Sequence, residues 1–103
     1  MLIKKEKIEE NLIIRFIGKL SQEEVDKISG RLIYDIGEDN SKNVIIDFSG
    51  LEYISSLGIA MLIKLYKFTK DEEKKMIIYN PSKEVLKILN LTRIEKIIKI
   101  EVN

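Results

Sequence analysis

The chain has 103 residues, 45% hydrophobic and 34% charged, with a formal net charge of +1. That describes one small globular domain, residues 1–103, with no single-sign field for nucleic acid or an anionic membrane surface. The absence of cysteine and histidine removes disulfides, thiolate nucleophiles, thiolate metal sites and every histidine-based triad or proton shuttle.

In chain order, residues 2–8 and 11–17 read as a strand pair joined at Glu9-Glu10-Asn11, with Gly18 ending the second strand. Ser21-Gln-Glu-Glu24 fits a capping box, in which Ser21 caps an early helix N–H and Glu24 reaches back. Val25, Ile28, Leu32 and Ile36 follow at helical spacing, and Gly37 can close that helix. Gly30, inside it, costs about 1 kcal/mol relative to Ala. Either close packing or simple tolerance accounts for its presence.

Val44-Ile-Ile-Asp-Phe48 is apolar enough for a central strand, and a short turn at Ser49-Gly50 follows. The helix that begins at Ser55-Ser56 is apolar nearly all round for two turns, so it must be covered on more than one side. Lys64, Lys67 and Lys70 then mark a solvated face near its C-terminal half. Lys74-Lys-Met-Ile-Ile-Tyr79 is a fourth strand. Asn80 as N-cap and Pro81 at the first helical position open a last helix, with Val85, Ile88, Leu89 and Leu91 as its apolar face. The segment from Ile94 to Ile100 is strand or short helix. The order β-β-α-β-α-β-α with a short tail predicts an α/β fold: a small mixed sheet of about four strands packed against three to four helices through right-handed crossovers.

Two serines at the start of an apolar helix put hydroxyls where backbone N–H groups and the helix dipole favour negative charge. Local chemistry alone makes Ser55 and Ser56 plain capping residues. No carboxylate loop of calcium-binding type and no Gly-rich phosphate loop is present, so neither a metal nor a nucleotide cofactor is expected. The N-terminal residues lack a signal-peptide core and no apolar run is long enough to span a bilayer, so the expected location is cytoplasmic.

The run Val44-Ile-Ile-Asp-Phe-Ser-Gly-Leu-Glu-Tyr-Ile-Ser-Ser-Leu-Gly-Ile59 resembles the signature of STAS domains, the fold of bacterial anti-sigma factor antagonists. In that signature an aspartate ends a strand, and after a turn Asp-Ser-(small)-Gly-Leu opens a helix. Gly18-Lys-Leu20 is similar to the family's Gly-x-Leu, and the segment from Pro81 to Ile98 to its C-terminal helix and closing segment, so the resemblance covers essentially the whole chain.

The resemblance implies a non-enzyme that regulates transcription by binding an anti-sigma factor, itself a serine kinase, and is released when phosphorylated. A PP2C-type phosphatase would restore it. Counting back from Gly58, the implied acceptor is Ser56 and, less so, Ser55. The implied partner surface is Ser21, Asp47, Ser55, Ser56, Leu57, Gly58 and Ile59. The chain departs from the pattern at Ser55, where the family has aspartate, at the bulky Leu57, and at Ser21, where an acidic residue is usual. The alternatives are a small-ligand module of the nucleotide or lipid-transport-associated kind and a scaffold component without a phosphoswitch.

Overall fold

The computed structural model describes residues 1–103. The elements are β1 (Leu2–Ile8), β2 (Asn11–Leu20), α1 (Gln22–Glu38), β3 (Asn43–Ile54), α2 (Ser56–Asp71), β4 (Lys75–Tyr79), α3 (Lys83–Leu91), a 3₁₀ turn (Ile94–Lys96) and β5 (Lys99–Glu101). They form one five-stranded sheet in the order β1-β2-β3-β4-β5. β1 is antiparallel to β2 and every other neighbouring pair is parallel.

Strand order that follows chain order, with right-handed crossovers, sends every connecting helix to the same face of the sheet. The alternation of burial agrees. Leu12, Ile14, Phe16, Val44, Ile46, Phe48, Met76 and Ile78 are buried beneath the helices, whereas Ile13, Ile45, Ile77 and Tyr79 are only half-buried on the other face. The core of 22 buried apolar residues also takes Leu32 and Ile36 from α1, Leu62 and Leu65 from α2, and Val85 and Leu89 from α3. Phe16 and Phe48 meet edge to face at its centre, with ring centroids 5.4 Å apart.

The order of elements follows the sequence expectation, but the sheet gains a fifth strand because the tail turns through 3₁₀ geometry and pairs β5 with β4. Gly18 does not end β2. It takes φ +112°, a conformation open to glycine, at an irregularity that lets the strand run on to Leu20. β3 likewise runs past Ser49-Gly50 to Ile54, still paired with β2. Gly37 lies in the last turn of α1 without ending it, close under the Phe68 ring, and Gly30 has open space around its Cα, so it is tolerated and not packed.

Half of the capping box forms. The Ser21 hydroxyl accepts from the Glu24 N–H at 3.4 Å, whereas the Glu24 carboxylate lies 3.9 Å from the N-terminal ammonium. Asn80 is not a cap: it sits at φ +53°, and Ser82, past a buried Pro81, accepts the Val85 N–H at 3.2 Å. Leu91 leaves the apolar face of α3 at 74% exposure. The helix opens two residues beyond the expected position and ends at Leu91, two residues past the buried Leu89 and so on its outward side.

Two stability measurements follow. Ser82→Ala lowers unfolding free energy by about 1 kcal/mol in urea titrations, whereas Asn80→Gly, which keeps the positive φ, leaves it within about 0.5 kcal/mol. Asp35 on α1 is pushed up by partial burial, but hydrogen bonds from Lys5 and Arg31 and their charges outweigh this and hold its carboxyl below its ordinary value. A lowered folded pKa contributes stability above the unfolded value of about 3.9, and that stability disappears as pH falls through the folded value. Asp35→Asn therefore flattens the acid limb of a Tm-against-pH curve and leaves its shape above about pH 6 unchanged.

Candidate functional site

β2 and β3 end side by side, with Leu20 paired to Ile54, and each passes directly into a helix. The Ser55 N–H donates to the Leu20 carbonyl at 2.9 Å, which fixes the two exits against one another. Ser21 caps α1 and Ser55 caps α2, so two helix N-termini open onto one shallow polar cleft lined by Ser21, Gln22, Glu23, Tyr53, Ser55 and Ser56.

The adjacent serines have different environments. Ser55 is 5% exposed, and its hydroxyl accepts the Gly58 N–H at 3.1 Å. Its carbonyl accepts the Ile59 N–H at 3.0 Å. Ser56, one residue on, is exposed at the first helical position. Of the four N–H groups that a helix start leaves without intrahelical partners, those of Ser56 and Leu57 remain beside its side chain.

Gly58 explains why α2 starts so close to the strand ends. A Cβ at this position would lie 2.7 Å from Ile54 Cγ1 and 3.2 Å from Leu20 Cδ2, inside contact distance. With glycine there, Ile59, Met61 and Leu62 enter the core while Leu57, at 41% exposure, and Ala60 face outward next to Ser56. Leu57, which departs from the small residue of the resembling pattern, thus fits without displacing the core.

Asp47 lies away from this rim. It is 7% exposed and paired across the sheet with Arg15, whose Nε is 3.2 Å from it. It accepts both the Ser49 N–H at 2.9 Å and the Ser49 hydroxyl at 2.7 Å. Arg15 also reaches Glu6 at 2.8 Å, and this hydrogen bond is the main cause raising the guanidinium above its ordinary pKa. Asp47 braces the strand where β3 becomes irregular.

The residues anticipated as a partner surface therefore divide. Ser56 and Leu57 are exposed and Ser21 is half-buried, whereas Ser55, Gly58 and Ile59 are buried and hold those positions, and Asp47 is buried away from the rim. Gln22, Glu23 and Tyr53 join the cleft without having been singled out in the sequence. The pairing of Lys19 with Tyr53 brings Tyr53 there, and it follows from two register shifts that no local pattern announces. Among the acidic side chains, no group of three or more could hold a metal ion.

These contacts separate the serines experimentally. Ser55→Ala costs about 1–2 kcal/mol of unfolding free energy, because a buried cap is lost, whereas Ser56→Ala stays within about 0.5 kcal/mol. Gly58→Ala costs about 1–3 kcal/mol by overpacking. Urea denaturation monitored by far-UV circular dichroism reads all three.

The family model of the STAS domain matches residues 3–103. An anti-sigma factor antagonist from Mycobacterium paratuberculosis superposes with a TM-score of 0.87 at 16% identity, over 99% of this chain and 86% of that one. The anti-sigma factor antagonist SpoIIAA in its unphosphorylated form gives 0.82 at 19% identity, over 96% and 87%. The phosphorylated form of SpoIIAA, a Bacillus cell fate determinant, gives 0.73 at 19% identity, over 96% and 90%. At these identities the likeness establishes the fold.

Proposed function

The chain belongs to the STAS domain family, and from that premise we propose that it is an anti-sigma factor antagonist switched by phosphorylation of Ser56. In this reading it is a cytoplasmic, non-enzymatic regulatory module. It binds an anti-sigma factor that is also a serine kinase, and a PP2C-type phosphatase resets it. The observation that carries the reading is the division of labour at the start of α2: the hydroxyl of Ser55 is buried and occupied as a cap, while that of Ser56 is exposed and free.

The kinase supplies nucleotide, Mg²⁺ and the catalytic carboxylate. The Ser56 oxygen forms the new O–P bond as the bond to ADP breaks, and the serine proton passes to the kinase base. The product carries about −1.5 to −2 charges at neutral pH. At the first turn of a helix, the N–H groups of Ser56 and Leu57 and the helix dipole tolerate that charge, so the domain stays folded. Its effect is directed outward. A docked partner has to bury Leu57 and the cleft beside it, and stripping water from a dianion next to Glu23, which lines the same cleft, opposes that docking.

Incubation with the cognate kinase and ATP followed by peptide mapping is expected to place phosphate on Ser56 in the wild type and on no residue in Ser56→Ala. Equal labelling of the two proteins refutes the assignment. Ser56→Asp keeps the wild-type circular dichroism spectrum while lowering affinity for the kinase at least tenfold in calorimetry. Unchanged affinity contradicts the mechanism.

A further inference from the structure

The sheet face opposite the helices has no covering layer, and the two rows of side chains that span all five strands on it are complementary to themselves. One row crosses the sheet as Glu6, Ile13, Ile45, Ile77 and Lys99, because these residues pair in register from β1 to β5. The next row crosses as Lys4, Arg15, Asp47, Tyr79 and Glu101. Side-chain contacts confirm that both rows lie on one face: Arg15 reaches Glu6 and Asp47, and Lys99 lies 3.3 Å from Glu101.

The three isoleucines form a continuous apolar strip across the middle strands, half-buried by their own neighbours. At the edge strands the charges are reversed from one side to the other. The β1 edge carries Glu6 then Lys4, and the β5 edge carries Lys99 then Glu101.

We propose that this face binds a second copy of the chain, about a two-fold axis parallel to β3. That rotation lays β1 of one copy over β5 of the other. Ile45 then meets its own counterpart on the axis, and Ile13 meets Ile77. Glu6 faces Lys99, Lys4 faces Glu101, and Arg15 faces the Tyr79 ring. The Asp47 carboxylates approach each other near the axis, but each is already neutralised by Arg15 and hydrogen-bonded to Ser49 within its own chain. The alternative in-plane axis, perpendicular to the strands, either lies between the rows and sets the isoleucine strip against Arg15, Asp47 and Tyr79, or lies along the strip and sets Glu6 against Glu6 and Lys99 against Lys99.

Strands packed this way stay nearly aligned, the usual arrangement of two stacked sheets. Five strands spaced about 4.8 Å apart and two rows of side chains give a patch about 20 Å wide and 10–15 Å deep. That is below the roughly 800 Å² per partner of a standard interface, so the pair is weak and forms in a concentration-dependent way. An axis parallel to the strands also leaves both Ser56 rims uncovered at the same end of the pair.

Sedimentation equilibrium on the full chain tests this without reference to any kinase. The wild type is expected to dimerise with a dissociation constant of about 100 μM. Ile45→Glu is expected to remain monomeric up to about 1 mM. Lys99→Glu is expected to weaken the dimer about tenfold, and adding Glu6→Lys to the same chain to restore it to within about threefold of wild type. Lys99 is an exposed edge residue, so its variants keep the test open if Ile45→Glu fails to fold. A wild type monomeric at about 1 mM overturns the proposal. So does a dimer indifferent to Ile45→Glu, or a charge reversal that its partner substitution does not rescue.

Discussion

The close approach of α2 to the ends of β2 and β3 governs the rest of the site. With no Cβ at Gly58, the first turn of the helix rests directly on Ile54 and Leu20. The chain must then turn from strand to helix within one residue, and Ser55 makes that turn with its N–H tied to Leu20 and its hydroxyl tied to Gly58. A residue so committed has no hydroxyl to spare. The next residue, pushed to the outer side of the same turn, has one with no structural duty. Packing of a single glycine thus separates a structural serine from an available one.

Serine in place of an aspartate at position 55 is consistent with this geometry. Both are good N-caps because each offers an oxygen to an early helix N–H. A neutral hydroxyl at a buried cap avoids placing a carboxylate beside the position where a phosphate would add charge. The acidic character of the cleft comes instead from Glu23, at the start of the other helix. Leu57, bulky where a small residue is usual, turns out of the core and widens the apolar edge beside Ser56.

Much of this was legible in the sequence because the signals were local. Periodicity identified four strands and three helices in the right order, and Ser21 and the Ser55-Ser56 pair marked two helix starts. What was hidden depended on pairing across the sheet. β2 and β3 outrun their apparent ends at Gly18 and Ser49-Gly50 because two register shifts let them stay paired, and that continuation carries Tyr53 to the cleft. Three residues at 99–101 are too few to show an alternating pattern, so β5 emerges only through its hydrogen bonds to β4. Asn80-Pro81 imitates a cap, but the positive φ at Asn80 postpones the helix to Ser82. The open face was equally invisible: an apolar run such as Val44–Phe48 suits a strand covered on both sides, and only the common side of all three crossovers leaves Ile45 without cover.

The proposed switch requires the rim to take a phosphate on Ser56 without rearranging what lies beneath it. Amide NMR spectra of the protein before and after installation of phosphate on Ser56 test this most directly. Large shifts are expected for Ser56, Leu57 and the residues lining the cleft, with amide exchange protection in β2, β3 and the buried face of α2 unchanged. Loss of protection at Gly58 and Ile59, or shifts spread through the sheet, would contradict it.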